Sequence, residues 1–414
     1  MISQRLRAVP IFRRYASTSK LPLSNIRVVD LTRVLAGPYC SQILGDLGAD
    51  VLKIEHPVRG DDTRAWGPPF SNGESAYYLS SNRNKRSLAV DFKQPEGQEI
   101  IKQLVAESDV LLENFLPGGL EKYGLGYKQL QKINPNLVYA SITGYGQTGP
   151  WAKRPGYDVM VEAEFGLMHI TGEPDGQPVK VGVAVTDLMT GMYTTIAVMG
   201  ALKHVADGGK GQHLDCALAD VQLANLANIA SSVLVSGKPD SGRQGTAHPS
   251  ICPYEAFETK DGSIMIGGGN DNLFRHVCDA LGKPEWKNDE RFITNSARVQ
   301  NRHILVSAMN ELTRSKTTKE WESEWQGKPF PYAPINDVKA SLEHPQAQAR
   351  NMVVEVDHPL CGALKLVNSP IKWSETQPEI RMAPPTLGQH TDEILNEFGL
   401  GDKIASLREK KVIS

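Results

Sequence analysis

The chain reads as an α/β protein built on a parallel sheet, with a smaller α/β domain inserted before its C-terminal part. Three observations lead there. Short apolar runs alternate with helix-like segments from Ile26 onward, the pattern of strands buried on both faces between covering helices. A polar, Gly/Pro-rich stretch at residues 237–250 interrupts that texture. Strand-like pieces then return toward the C-terminus. With 414 residues, 40% hydrophobic and 22% charged, the composition is ordinary for a globular protein, and the length suffices for two domains.

Each element follows from its residues. IRVVDLT (26–32) is expected as a buried strand. PYCSQILGDLG (38–48) places Pro38 at a helix start and Gly48 at its stop. ADVLKIE (49–55) and SLAVDF (87–92) are the next strands. The helix at 95–108 opens on Pro95 with early acidic residues. DVLLENF (109–115), LVYASITGY (137–145) and QHLDCAL (212–218) continue the sheet. A helix is expected to follow Asp187 and stop at Gly208, and residues 219–237 read as one long helix rich in small side chains. In the inserted part, AFETKDGSIMIGG resembles a hairpin, with helices at 272–281 and 318–326. The resulting boundaries are 1–20 for a leader, 21–236 for the first part of the large domain and 237–253 for a linker or lid loop. Residues 254–334 form the small domain, and 335–414 return to the large one.

Composition excludes several classes. A net charge of −2 gives no general attraction to nucleic acid or membrane. No apolar run has the length of a membrane span. Cys40, Cys216, Cys252, Cys278 and Cys361 are scattered singly, which argues for a reducing compartment and against a zinc site or disulfide frame. The leader carries Arg5, Arg7, Arg13 and Arg14, and the first acidic residue is Asp30. An Arg-rich, acid-free, Ser/Thr-tailed leader is the pattern of a mitochondrial transit peptide, so a matrix location is expected.

A dinucleotide enzyme is disfavoured. After the first strand the chain reads TRVLAGPYC, without the glycine spacing that a pyrophosphate turn needs. The triple glycine at 267–269 lacks that spacing too and is expected as a turn. Asp187 lies in VGVAVTDLMTGMY, between an apolar, strand-like run and a long helix. An aspartate there is a natural N-cap. A helix N-terminus also favours an ionised carboxylate, the form able to attack an acyl carbon.

That segment resembles the active-site region of the family III CoA-transferases, the formyl-CoA and carnitine CoA-transferase group. The likeness extends in collinear order through RVLAGP (33–38), LGADVLKIE (47–55), GDDTRAWGPP (60–69), NRNKRSLAVDFK (82–93), ENFLPGGLEKYGL (113–125), SITGYGQTGP (141–150) and LGQHTDEIL (387–395). It implies a large Rossmann-like domain formed by the N- and C-terminal parts, a smaller inserted domain, and an intertwined homodimer. Asp187 falls on the family's aspartyl nucleophile. Leu35 and Ala36 fall on the loop near the thioester of CoA. His56, Val90, Asp91, Phe92, Lys93, Asn114, Phe115, Leu116 and Lys122 fall on CoA-contact positions, and Tyr157 and Asp158 lie near the CoA sulfur. Gly245 and His248, in GTAHPSICPY, fall on the loop that closes over the substrate; the glycine run of formyl-CoA transferases is absent there.

The implied activity is transfer of CoA from a donor such as succinyl-CoA to a dicarboxylic acid such as glutarate or hydroxymethylglutarate. CoA thioester is then a substrate, and no permanently bound cofactor or metal is expected. Two other activities fit the same scaffold: an α-methylacyl-CoA racemase, and a non-catalytic CoA-binding protein. The racemases carry Gly-His-Asp where this chain has Gly156-Tyr157-Asp158. A phenol with its ordinary pKa near 10 is a poor base at neutral pH, which favours the transferase.

Overall fold

A computed structural model of the chain describes residues 21–414, so the Arg-rich leader lies outside the described residues. Contacts between residues divide the chain into two units. The first comprises residues 21–162, Val183–Asn225 and Ala349–Ser414; the second comprises Ala163–Gly182 and Leu226–Gln348. The boundaries at 237 and 334 read from composition therefore fall inside the second unit, and a short segment around residue 170 belongs to it as well.

The first unit is organised by six strands: β1 (Arg27–Asp30), β2 (Asp50–Glu55), β3 (Lys85–Ala89), β4 (Val110–Glu113), β5 (Val138–Thr143) and β6 (His213–Ala217). All neighbours are parallel and the spatial order is β3-β2-β1-β4-β5-β6. Strand order reverses between β1 and β4, the arrangement of doubly wound sheets. Alternate residues feed opposite cores. Val28, Val51, Val110 and Val138 pack on one face with Cys40 and Leu44 of helix α1 (Ala36–Asp46). Val29, Leu52, Leu111 and Tyr139 pack on the other with Ile100, Ile101 and Leu104 of helix α2 (Pro95–Ala106). The inner strands β1, β2, β4 and β5 are thus buried on both sides, which is why they read as apolar runs, while the edge strand β6 is only partly covered.

Helix α1 begins two residues earlier than expected, so Pro38 sits inside the first turn rather than at its opening. Proline is tolerated there because those N–H groups have no intrahelical partner. Helix α3 (Val185–Ala206) packs against α1 through its small residues. A Cβ added to Gly191 would lie 2.6 Å from the backbone oxygen of Ala36. The buried hydroxyls of Thr190, Thr194 and Thr195 donate to carbonyls one turn earlier in α3, at 2.7, 2.8 and 2.8 Å. The helix therefore buries polar atoms without needing partners from another element.

The expected single helix at 219–237 is instead two: α4 (Leu218–Asn225) and α5 (Ala227–Ser236). Ala227 has φ 44°, a left-handed conformation that interrupts the hydrogen-bond ladder. In the second unit, β7 (Tyr254–Glu258), β8 (Ser263–Gly267) and β9 (Tyr332–Pro334) form an antiparallel sheet around Phe257, Ile264 and Ile266. Trp321 and Trp325 pack in the same core with tilted rings, their centroids 4.8 Å apart. The C-terminal strand-like pieces pair as a hairpin, Val353–His358 with Gly362–Val367. Asp91, just past β3, donates its N–H to Val412 at 2.8 Å, so the last residues brace that edge of the large sheet.

Candidate active site

A cavity of about 560 Å³ opens at the carboxyl end of the large sheet. Residues following β1 (Thr32 to Ala36), β2 (His56), β3 (Val90 to Lys93), β4 (Asn114 to Leu116) and β6 (Leu218) line it, together with the last residues of β5. A crevice at this edge, where strand order reverses, is the usual ligand site of doubly wound sheets. Tyr157 and Asp187 complete the wall. The sheet thus gathers Leu35, Ala36, His56, Val90, Asp91, Phe92, Lys93, Asn114, Phe115, Leu116, Lys122, Tyr157 and Asp187 around one space. Asp158 is not part of the lining. Gly245 and His248 lie in the second unit and are not lining residues either.

Asp187 is the most perturbed carboxylate of the cavity. No strand precedes it, and it is not the N-cap: α3 starts at Val185, which puts Asp187 at the third helical position. Its backbone N–H donates to Asp158 Oδ2 at 3.0 Å. Asp158 thus satisfies a first-turn donor that has no partner within the helix. Burial, and then the charge of Asp158, push the Asp187 carboxyl up to about 7. The helix N-terminus favours the ionised form, while burial and the Asp158 charge act against it.

Tyr77 was not singled out from the sequence. Burial, followed by the charges of Asp187 and Asp158, raises its phenol above the ordinary value, which puts the ring within electrostatic reach of both carboxylates. Its ring meets Trp66 edge-on at 5.2 Å. Nothing in one sequence distinguishes Tyr77 from the neighbouring Tyr78, which is a fully buried core residue.

The loop after β1 carries the other notable geometry. Asn114 holds it from both sides: its Oδ1 accepts the N–H of Arg33 at 3.1 Å, and its amide donates to the Arg33 carbonyl at 2.7 Å. Asn114 is therefore a clamp on a neighbouring loop, rather than a turn residue of its own strand. Leu35 then opens α1 with no side chain capping the first turn. Orphan N–H groups at a helix start favour negative charge.

Around the mouth, Arg33 pairs with Asp62 at 2.6 Å and lies 5.6 Å from the Phe115 ring centroid. Phe115 meets Phe92 edge-on at 5.7 Å. Lys122 lies 4.9 Å from the Tyr123 ring centroid. Burial, and then Arg59, lower the pKa of His56, so it is a neutral hydrogen-bonding group at pH 7 rather than a cation. Arg59 lines the cavity and carries the charge that His56 lacks, and Arg33 lines it as a cation paired with Asp62. Lining by scattered, singly placed arginines leaves no spacing signal in the sequence.

Comparison with known proteins shows what the chain resembles. A family model described as CoA-transferase family III matches residues 23–391. Succinyl-CoA:glutarate CoA-transferase of Homo sapiens is 47% identical over 376 residues, covering 91% of this chain and 86% of that protein. Succinate–glutarate CoA-transferase of Agrobacterium fabrum is 45% identical over 393 residues, covering 94% of this chain and 98% of that protein. Among solved structures, a CAIB/BAIF family protein from Brucella suis superposes with a TM-score of 0.83 at 45% identity, covering 91% of this chain and 99% of that one.

Proposed function

The chain belongs to CoA-transferase family III and is an enzyme that transfers CoA, and from that premise we propose that it moves CoA from succinyl-CoA to a dicarboxylic acid of the glutarate or hydroxymethylglutarate type, with Asp187 as the nucleophile. The observation that carries this reading is the placement of Asp187. Its carboxyl lies in a cavity at the switch point of the sheet, poised near 7 by burial and Asp158. A carboxylate of raised basicity is a better nucleophile once ionised, and both protonation states are accessible at neutral pH.

Asp187 attacks the donor acyl carbon and expels CoA thiolate, forming a mixed anhydride. The thiolate attacks the aspartyl carbonyl, giving an aspartyl-CoA thioester and the free donor acid. The acceptor carboxylate attacks that thioester, expels the thiolate and forms a second anhydride. The thiolate then takes the acceptor acyl group and regenerates Asp187. One thioester is consumed and one is formed, so exchange needs no outside energy source. Covalent catalysis divides a hard exchange into smaller steps. The uncapped N–H groups at Leu35 and Ala36 are the donors for the oxyanions that form beside Asp187. Arg33, Arg59, Lys93 and Lys122 supply positive charge for the phosphates of CoA.

The working form is an intertwined homodimer in which the partner's second unit, with Gly245 and His248, closes over the acceptor acid. The surface of α3 supports it: Ile196 is 68% exposed, Tyr193 44% and Met192 38%, and Leu223 of α4 is 49% exposed. Contiguous exposed apolar side chains of this kind mark a covered face. The Arg-rich leader supports import into the mitochondrial matrix.

Incubation with succinyl-CoA and a panel of carboxylic acids tests the function. Formation of glutaryl-CoA or a close dicarboxylic homologue supports it. Proton exchange α to the thioester without an acceptor, and no acyl exchange, would show a racemase instead.

A further inference from the structure

The turn that delivers Leu35 and Ala36 to the cavity contains a strained residue. Val34 has φ 73°. A β-branched side chain is a genuine outlier in the left-handed region and stays there only when its surroundings impose it. The backbone of three consecutive residues is held from outside. The Thr32 carbonyl accepts from Lys53 Nζ at 3.2 Å. The Arg33 peptide is clamped by Asn114, as described above. The Val34 N–H donates to Asp61 Oδ1 at 3.2 Å. A Cβ on Gly37 would fall 2.3 Å from that of Thr32, so the turn is folded tightly back on the first turn of α1.

Asp61 is the hub of this arrangement. It is a buried residue just past β2, and its Oδ1 also accepts from the N–H and hydroxyl of Thr63, at 3.0 and 2.8 Å. Its Oδ2 takes Lys53 Nζ at 2.9 Å, both side chains being fully buried. Burial opposes its charge, but Lys53 and Thr63 outweigh that and hold it at about 2, so it is an anion throughout the working range. The far end of the same turn is fixed by α3, because Gly191 meets the Ala36 carbonyl one helical turn beyond Asp187.

We propose that Asp61 is a positioning residue for CoA transfer: through the N–H of Val34 it imposes the left-handed turn that aims the Leu35 and Ala36 N–H groups at the carbon attacked by Asp187, with Lys53 fixing its carboxylate in place. The inference rests on the reading of Asp187 as the nucleophile. Asp61 borders the cavity, but its carboxylate oxygens are occupied by Val34, Thr63 and Lys53. It acts by moving the oxyanion donors, so its loss changes the turnover step rather than the capture of acyl-CoA.

Asp61→Glu tests this while keeping a charge opposite Lys53. The longer arm moves the acceptor oxygen off the Val34 N–H. The kcat for acyl exchange should fall by about 100-fold, the scale of a 1 Å misplacement, while the KM for succinyl-CoA changes by less than about threefold. Val34→Gly relieves the strain, since glycine takes this φ freely. The double variant Asp61→Glu, Val34→Gly should therefore recover most of the lost kcat. Asp61→Asn removes the charge by which Lys53 fixes the acceptor against the Val34 N–H, and keeps the test open if the glutamate variant does not fold: its kcat should also fall, and should also rise again when Val34→Gly is added. A folded Asp61→Glu enzyme with normal kcat, a defect confined to KM, or no gain from Val34→Gly would overturn the proposal. Trapping the acyl adduct on Asp187 separates this from its premise. A wild-type enzyme that forms none refutes the nucleophile. Normal adduct formation in Asp61→Glu alone refutes the positioning role.

Discussion

Asp158 accepts the backbone N–H of Asp187 at 3.0 Å and also raises that residue's own carboxyl. One carboxylate thereby fixes its neighbour's main chain while making its ionisation harder. The two effects are separable, because an asparagine keeps the hydrogen bond and drops the charge.

Asp158→Asn is expected to shift the pH dependence of adduct formation downward. Only ionised Asp187 attacks, so the single-turnover rate of the wild-type enzyme should rise with pH through about 7. Removing the Asp158 charge leaves burial as the remaining cause, and the midpoint moves toward acid without returning to 3.8. Stability follows the opposite sign. A carboxyl raised in the folded state holds its proton longer than in the unfolded chain, so its contribution to stability falls as pH rises from about 4 to about 7. Asp158→Asn should flatten that decline in a pH series of thermal unfolding.

Asp187→Asn should leave the fold intact, because residue 187 does not cap α3. Exchange should fall on the order of 10⁴-fold or more, the scale seen when a nucleophile is removed. Incubation with acyl-CoA should label the Asp187 peptide in the wild-type enzyme only, in a form cleaved by hydroxylamine. Near-normal turnover by the amide, with deamidation excluded by mass, would end the proposed mechanism.

Gly191→Ala introduces a Cβ at 2.6 Å from the Ala36 backbone oxygen. Backbone cannot step aside cheaply, so a loss of about 1–3 kcal/mol is expected in denaturant unfolding. Activity should fall beyond what the stability loss explains, since the displaced helix carries Asp187.

Asn114→Ala removes two hydrogen bonds from the Arg33 peptide. Leaving those backbone groups without partners costs about 1–3 kcal/mol. The kcat should drop more than the stability, and a serine in place of the alanine should restore part of it. Unchanged kcat in a folded Asn114→Ala enzyme would mean the clamp has no bearing on turnover.

The large sheet is legible because its inner strands are buried on both faces and read as apolar runs, broken by Pro95 and by glycines such as Gly48. The split of residues 219–237 into two helices is not. It hangs on a left-handed alanine, Ala227, with no glycine or proline to announce it. Val34 hides for the same reason, since its conformation is imposed by Asp61 and Asn114 from distant parts of the chain. The position of Asp187 was legible only as "near a helix start"; that Asp158 supplies the first-turn acceptor depends on two segments meeting in space. Asp61 lies in the GDDTRAWGPP stretch, but nothing local shows that it reaches the Val34 N–H, and Tyr77 carries no local pattern at all.

The strand order gathers the cavity walls at one end of the sheet, on loops, strand ends and helix starts, while most of the alternating valines and leucines that hold the sheet together lie behind them. Binding chemistry and folding chemistry are thus partitioned along the strand axis. A lineage can exchange side chains at the rim, and with them the acid it accepts, while the valine and leucine core is inherited unchanged. The Val34 turn is the exception, because its strain ties rim to core through Lys53 and Asp61. Divergence within such enzymes is therefore expected to be slow at that one loop and fast around it.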